Sequence, residues 1–179
     1  MFEELEVLRI ISERLESVHI PFMLTGSFAM AYYGKPRMTR DLDLVVSLAE
    51  EGINGIVSVL SPDFYVDADD IRAAVLAQRL FNLMHHATGI KLDLIIRKSA
   101  EYRLVEFARR RPVELSGVKT WIVSREDLIL SKLVWARESA SEMQFRDVKS
   151  LLDASMESNY LEHWAERLGV LQSLREAAR

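Results

Sequence analysis

The sequence predicts an α+β fold in which a small mixed β-sheet with flanking helices is followed by a helical C-terminal part. Short apolar or β-branched segments alternate with segments of helical period up to residue 123, whereas the segments after Ser124 are almost all helical in period. The chain has 179 residues, of which 49% are hydrophobic and 28% are charged, as in an ordinary globular protein. This length is sufficient for a domain with a buried core.

The first third of the chain alternates helices and strands. Apolar residues at helical spacing predict a helix over residues 2–18, and Pro21 follows its end. Short apolar runs, the second of them β-branched, predict strands over 22–24 and 42–46. The other elements predicted in this part are a helix over 28–33 that Gly34 ends, a helix over 48–60 and a short strand over 63–67.

The rest of the chain contains a predicted hairpin and then mainly helices. After a helix that begins near Asp69, Thr88-Gly89 is expected to be the turn between strands over 80–87 and 90–96. Ser124, with Asp127 three residues later, is typical of a helix N-cap. The remaining predicted elements are a helix over 100–110, a strand over 119–123, and helices over 124–137, 144–156 and 160–175.

The composition excludes several classes of site and partner. The chain contains no Cys, which excludes disulfides, thiolate zinc sites and cysteine nucleophiles. Its 27 acidic and 23 basic residues give a net charge of -4, which argues against broad binding to nucleic-acid backbones but allows a local basic site. The sequence shows no run of ~20 apolar residues and no secretory signal, so a cytoplasmic protein without a membrane partner is expected.

Two aspartates on a predicted strand are the first candidates for chemistry. Side chains alternate along a strand, so Asp41 and Asp43 face one side while the leucines beside them face the other. Their backbones are ~7 Å apart, which lets both carboxylates bind one cation. Magnesium would relieve their mutual repulsion, because it prefers oxygen ligands and substrate phosphates.

A third aspartate, Asp93, interrupts an otherwise apolar strand. If this strand lies beside the one that carries Asp41 and Asp43, three carboxylates meet at one edge of the sheet, which is the outline of a two-metal site. The alternative is that Asp93 is an acid at a strand edge, paired with Lys91 or Arg97.

Lys132 lies in the segment 128–135, which is apolar nearly all round and is therefore expected to be buried. A buried cation is costly unless it is paired, so Lys132 is expected to meet either a carboxylate or a phosphate. Arg137 and Asp147 are candidates for the same network.

Taken together, the acidic residues and a Gly-Ser pair resemble the motif of a known superfamily. Gly26-Ser27 at the start of a helix, Asp41 and Asp43 on a strand, and Asp93 on a later strand are similar to the DNA polymerase beta-type nucleotidyltransferases. The resemblance implies the nucleotidyltransferase fold. It also implies transfer of a nucleoside monophosphate from a nucleoside triphosphate (NTP) to an acceptor hydroxyl.

The same resemblance assigns roles to these residues. Gly26 and Ser27 would hold the triphosphate with donors at a helix N-terminus, a place that favours anions on physical grounds as well. Asp41, Asp43 and Asp93 would be both the catalytic residues and the metal ligands, for two Mg²⁺ ions or, alternatively, Mn²⁺. Asp93 would also take the proton of the acceptor hydroxyl.

A narrower resemblance extends to the nucleotidyltransferase toxins of the AbiEii and MenA kind. It depends on Arg37 and Thr39 before the acidic pair, on Lys132 and Arg137 in one helix, and on Asp147 in the next helix. It implies that these five residues contribute to the nucleotide-binding site. It also implies a role in a toxin–antitoxin pair, with an antitoxin or a second copy of the chain as partner.

The leading hypothesis is therefore a magnesium-dependent nucleotidyltransferase with a catalytic core and N-terminal helix over residues 1–123 and a helical region over 124–179 that completes the site. The acceptor stays open between tRNA or other RNA, a protein and a small molecule. The alternative is a catalytically degenerate protein of the same fold that binds a nucleotide or a partner.

Three further features are given ordinary roles. His85 and His86 are adjacent on a predicted strand and point in opposite directions, so they cannot easily share a metal. The basic run 109–111 is expected to be a solvated helix end rather than an RNA contact. The tryptophans are expected to fill core positions, and they are Trp121, Trp135 and Trp164.

Overall fold

The structure is a computed structural model that describes residues 2–34 and 41–179. The helices are α1 (Phe2–Ser17), α2 (Gly26–Tyr33), α3 (Ile53–Leu60), α4 (Ala68–Ala77), α5 (Glu101–Ala108), α6 (Arg125–Ser139), α7 (Glu142–Leu151), α8 (Ser158–Arg167) and α9 (Leu171–Ala177). The strands are β1 (Phe22–Thr25), β2 (Leu42–Val46), β3 (Phe64–Tyr65), β4 (Leu80–His85), β5 (Lys91–Ile96), β6 (Arg111–Leu115) and β7 (Val118–Ile122).

The described residues form a seven-stranded mixed sheet in the order β3-β4-β5-β2-β1-β7-β6. Strand β2 is central, because it pairs with β1 in the antiparallel direction and with β5 in the parallel direction. The parallel pairing requires a crossover, which the segment from α3 to β4 provides. The α+β prediction, a mixed sheet with flanking helices and a helical C-terminal part, is confirmed.

The two faces of the central strands are covered differently. Alternate residues of β2 and β5, such as Leu42, Leu44, Leu92 and Leu94, are fully buried on one face. Helices α1, α3 and α4 form a continuous layer, in which α1 contacts β7 and α4 contacts β4. On the other face α2 packs against β1 and β2. The charged residues of β2 and β5 lie on this second face, which is only partly covered.

The predicted hairpin and helix caps are confirmed. Strands β4 and β5 are antiparallel, and Gly89 in their connection has a φ of +66°, which suits glycine in a turn. The Ser124 hydroxyl accepts a hydrogen bond from the backbone N–H of Asp127 at 3.1 Å, as expected of an N-cap. The helix predicted over residues 160–175 is instead two helices, because Gly169 adopts a φ of +69° between α8 and α9.

Strand β6 was not predicted. Its residues Arg111, Pro112 and Glu114 are typical of a loop, and Pro lacks the N–H that a central strand would need. Among the strands that the structure describes, it lies at the edge of the sheet and pairs with β7 alone, so one row of its backbone groups faces away from the sheet. At such an edge a proline is tolerated.

The basic run 109–111 is not a solvated helix end. The Arg109 guanidinium donates to the buried carboxylate of Asp127 at 3.2 Å and stacks 3.8 Å from the centre of the Tyr160 ring. Arg110 lies over the ring of Phe107, and Arg111 donates to the Tyr33 hydroxyl at 3.0 Å. These contacts tie the region between α5 and β6 to α2, α6 and α8, which gives the run a structural role.

Of the helices that the structure describes, none has both the length and the apolar character required to cross a bilayer.

Candidate active site

The sheet register brings the predicted acids together. Asp43 of β2 lies directly beside Asp93 of β5, and on its other side it lies opposite Thr25 at the end of β1. Asp41 comes just before β2, and its negative charge acts on Asp43. The carboxylates of Asp43 and Asp93 therefore occupy the face of the sheet that the apolar core leaves free. This placement agrees with the alternation read from the sequence.

Gly26 allows the start of α2 to approach the Asp43 carboxylate closely. Its φ is +64°, and a Cβ atom at this position would overlap Asp43 Oδ2 and come within 2.6 Å of its Cγ. The backbone N–H of the next residue, Ser27, donates to the same carboxylate and lowers its pKa. Gly26-Ser27 thus begins a helix beside the acids, as the sequence predicts, and an L side chain in place of Gly26 would displace the carboxylate.

Replacing Gly26 with Ala should destabilise the protein by more than the usual cost of a left-handed residue, which is about 1–2 kcal/mol. The extra cost arises because the new Cβ collides with Asp43, so the strand or the helix start must shift. Urea unfolding measures the effect. Gly89→Ala is the matched control, since Gly89 also has a positive φ but a Cβ added there would meet no atom within 4 Å. Equal losses in the two variants would contradict the close approach.

The environment of Asp43 disfavours its negative charge. Burial, followed by the charges of Asp93 and Asp41, raises the pKa of Asp43 to about 6. Lys132 and the N–H of Ser27 act in the opposite direction but do not cancel the rise. The negative charges of Asp41, Asp43 and Asp93 are therefore not fully balanced at Asp43. This position favours the binding of a proton or another cation.

Asp93 has close partners of its own. The Lys91 ammonium lies 2.8 Å from Asp93 Oδ1 and 3.1 Å from Oδ2, and the Asn82 side-chain amide also donates to the carboxylate. The hydrogen bond to Asp93 raises the pKa of Lys91. The pairing with Lys91 that the sequence offered as an alternative is present. Because Lys91 is half-exposed, it can move aside for a stronger cation.

The three acids fit a hard divalent cation by the chemistry of their donors. All of the candidate ligand atoms are carboxylate oxygens, and their mutual repulsion leaves negative charge to be neutralised. Within residues 2–34 and 41–179, however, no three acidic or histidine side chains already converge as a metal-binding group. To bind a metal, Asp93 would have to break its contact with Lys91. Metal binding would therefore require a local rearrangement of side chains.

Lys132 is buried and paired, as predicted. Its ammonium donates to Asp147 Oδ2 at 2.8 Å and to Gln144 Oε1 at 2.9 Å, and the whole residue is only 3% exposed. It lies close enough to Asp43 to lower the pKa of that carboxyl. The three residues join α6 to α7 and hold the Lys132 ammonium in a fixed position next to the acids.

Arg137, another predicted nucleotide-binding residue, is not brought to this place. The Arg137 guanidinium donates to the backbone carbonyl of Leu168 at the end of α8, so it supports the helical region instead. Arg37 and Thr39 lie outside the described residues. His85, the last residue of β4, and His86, which follows the strand, have separate partners, Thr88 and the carbonyl of Ser61.

A cleft of about 370 Å³ opens beside the acids, between the free face of the sheet and helices α5 and α6. Asp43, Asp93 and Lys132 line one part of it. Its floor is apolar and consists of Val45, Ile95 and Leu80, and its walls include Val134 and Trp135 of α6.

The sequence did not identify the residues of α5 and α6 that line this cleft. Trp135 was expected in the core but is 53% exposed, because it lies on the side of α6 that faces the cleft. Arg103 Nη1 donates to Glu106 at 2.8 Å and to Ser131 at 2.6 Å, and the Ser131 hydroxyl donates to Glu106 at 2.6 Å. The i,i+3 spacing of Arg103 and Glu106 was the one available signal for this group.

The fold is shared with solved nucleotidyltransferases. The chain is similar to an antigenic nucleotidyltransferase-like protein from Paracoccidioides brasiliensis, with a TM-score of 0.58 and 18% identity over 98% of this chain and 93% of that chain. It is also similar to the antibiotic-resistance factor ANT(2'')-Ia, with a TM-score of 0.61 and 13% identity over 98% of each chain. A third similar structure is the lincosamide antibiotic adenylyltransferase LnuA, with a TM-score of 0.55 and 14% identity over 84% of this chain and 96% of that chain.

These similarities show that the chain has the nucleotidyltransferase fold. No protein-family model and no curated protein matches the sequence.

Proposed function

We propose, from its nucleotidyltransferase fold, that this protein is an enzyme that transfers a nucleoside monophosphate from an NTP to an acceptor hydroxyl and releases pyrophosphate. The observation that carries the proposal is the sheet register, which sets Asp43 beside Asp93 and next to the start of α2 at Gly26. The excess of negative charge at Asp43 supports it, because an apolar or solvated structural role would not require acids that oppose one another.

Asp41, Asp43 and Asp93 would hold divalent metal, two Mg²⁺ ions or alternatively Mn²⁺. When bound, the metal would neutralise negative charge on the triphosphate. The backbone N–H groups of Gly26 and Ser27 would donate to the triphosphate at the start of α2. The Ser27 N–H donates to Asp43 in the structure, so it would have to leave that carboxylate to reach the triphosphate.

In the transfer, Asp93 would accept the proton as the acceptor O–H bond breaks. The acceptor oxygen then forms a bond to the α-phosphorus, and the bond from that phosphorus to the pyrophosphate oxygen breaks. Lys132, held by Gln144 and Asp147, would keep a positive charge near the phosphates throughout.

The helical region 124–179 would complete the site, because α6 and α7 supply Lys132 and Asp147, and the catalytic core would lie within 1–123. Arg37 and Thr39 stay in this proposal as nucleotide-binding residues on the strength of the sequence resemblance. The toxin role and an antitoxin partner that the AbiEii and MenA resemblance implies stay predictions.

The acceptor is best sought first among small molecules. Two similar structures are described with small molecules bound, ANT(2'')-Ia with adenylyl-2''-tobramycin and LnuA with lincomycin. In this chain the cleft beside Asp93 has the volume of a small-molecule site. RNA and protein are the acceptors to test next.

The proposal is tested by incubating the protein with α-³²P-labelled NTPs, Mg²⁺ and separated small-molecule, RNA and protein fractions of a cell lysate. We expect one fraction to be labelled and Asp93→Asn to lower labelling about 10²- to 10⁴-fold, the usual effect of losing a general base. Asp69→Asn is the matched control, because Asp69 is an exposed aspartate of α4 outside the cleft.

Calorimetry with each NTP separates the enzyme from the catalytically degenerate alternative. Binding of an NTP without labelling of any fraction would favour the degenerate protein. Full labelling by Asp93→Asn would show that Asp93 is not the base.

A further inference from the structure

The cleft beside the acids has two ends with different charged residues. Asp93 and Ile95 lie on one face of β5 because side chains alternate, and Arg97, which follows the end of the strand, lines the cleft with them. Asp93 and Arg97 are four residues apart, which corresponds to about 13 Å along a strand. The cleft therefore runs from a negatively charged end at Asp93 to a second end at Arg97.

The second end carries positive charge. Arg97, Lys98 and Arg103 all line it. Arg103 is fixed, because its Nη1 donates to both Glu106 and Ser131, whereas its Nε and Nη2 donate to no other residue that the structure describes. The ion pair of Arg103 with Glu106 balances these two charges, so the positive charge of this end comes from Arg97 and Lys98. The other acid at this end, Glu138, lies 3.7 Å from Arg137.

Apolar surface separates the two ends. Val45, Ile95 and Leu80 form the floor, and Leu80 and the wall residue Trp135 remain 46% and 53% exposed. Large apolar side chains that border a cavity and face water favour an apolar ligand, and the indole ring offers a surface for stacking. The middle of the cleft thus suits a flat, apolar body.

We propose that this cleft binds the acceptor, and that the acceptor is a small molecule whose apolar body carries an anionic group about 13 Å from the hydroxyl that is nucleotidylated. The proposal rests on the proposed function. The hydroxyl would lie at Asp93, the apolar body over Val45 and Ile95, and the anionic group at Arg97, Lys98 and Arg103. The triphosphate would bind at the start of α2. The cleft extends from Gly26 across β2 and β5 to Leu80 of β4, so most of the cleft lies beyond that position.

The proposal is tested with two probes of the same shape, 2-naphthoate and its neutral counterpart 2-naphthamide. Their dissociation constants are measured by calorimetry on the whole protein without nucleotide or metal. We expect 2-naphthoate to bind about ten-fold more tightly than 2-naphthamide. We expect Arg97→Gln combined with Lys98→Gln to abolish the difference, and Trp135→Ala to weaken both probes alike.

The control is Arg72→Gln combined with Lys119→Gln, which removes the same charge from outside the cleft and should preserve the ten-fold preference. Equal binding of the two probes by the wild-type protein would overturn the proposal. So would a preference that survives in the Arg97→Gln and Lys98→Gln variant.

A competition experiment separates an acceptor site from a nucleobase site. The affinity of α,β-methylene-ATP in Mg²⁺ is measured with and without saturating 2-naphthoate. Unchanged affinity supports the acceptor assignment, and displacement of the nucleotide would overturn it. Failure of the proposed function is distinguished by the first experiment, because the preference for 2-naphthoate requires neither nucleotide binding nor transfer.

Discussion

Replacing Lys132 with Met is expected to lower the free energy of unfolding by about 3–5 kcal/mol. The substitution keeps most of the side-chain volume but removes the positive charge that Asp147 contacts at 2.8 Å. Asp147 is only 5% exposed, so its carboxylate would remain buried without a counter-charge. Urea unfolding at neutral pH measures the loss.

The double variant Lys132→Met with Asp147→Leu is the informative control. It removes both charges, so most of the lost stability should return even though two polar groups are gone. Nucleotide binding should stay weak in the double variant, because the positive charge near the phosphates is still missing. A single variant within about 1 kcal/mol of wild type would contradict the inference that the buried pair stabilises the junction of α6 and α7.

Replacing Asp43 with Asn is expected to have opposite effects on activity and stability. Transfer should fall by at least about 10³-fold, because a proposed metal ligand is lost. The metal-free protein should nevertheless become more stable by about 2 kcal/mol at pH 7.5, because the pKa of Asp43 is about 6 in the folded protein against an ordinary value of 3.8. This figure is below the full value of the shift, since the side chain is partly solvated.

The gain in stability from Asp43→Asn should depend on pH. A carboxyl group with a raised pKa in the folded state binds its proton more tightly there than in the unfolded chain. The stability cost of Asp43 is therefore absent below about pH 4, grows as the pH rises to about 6 and is complete above that value. The gain from Asp43→Asn should follow the same curve in thermal unfolding.

Magnesium provides a second readout for Asp43. Added Mg²⁺ should raise the unfolding temperature of the wild-type protein and leave that of Asp43→Asn unchanged. A variant that is less stable than wild type at pH 7.5, or that still responds fully to Mg²⁺, would show that Asp43 is not where negative charge accumulates.

The acidic residues were predictable because they depend on local rules. Alternation along β2 separates Asp43 from the buried leucines, and an acid in the apolar strand β5 required a partner. The burial of Lys132 followed in the same way from the apolar character of its segment. In each case the sequence within a few residues was sufficient.

The cleft was not predictable, because it depends on how distant elements meet. Trp135 is apolar, and only the path of α6 over the sheet decides that it borders the cleft instead of filling the core. Ser131 and Glu106 are 25 residues apart in the sequence, so neither helical nor strand periodicity predicts their contact. Arg137 was expected at the nucleotide because of the AbiEii and MenA resemblance, but its guanidinium donates to the carbonyl of Leu168.

The parallel pairing of β2 with β5 has a consequence for how the protein folds and opens. The β4–β5 hairpin is local, so we expect it to form early. We expect β2 to meet β5 late, because fifty residues separate Asp43 from Asp93. Electrostatic repulsion between the two acids is felt only at this late step. In the metal-free protein we therefore expect the backbone amides that pair β2 with β5 to exchange hydrogen faster than the other amides of the central strands. A bound cation should slow that exchange.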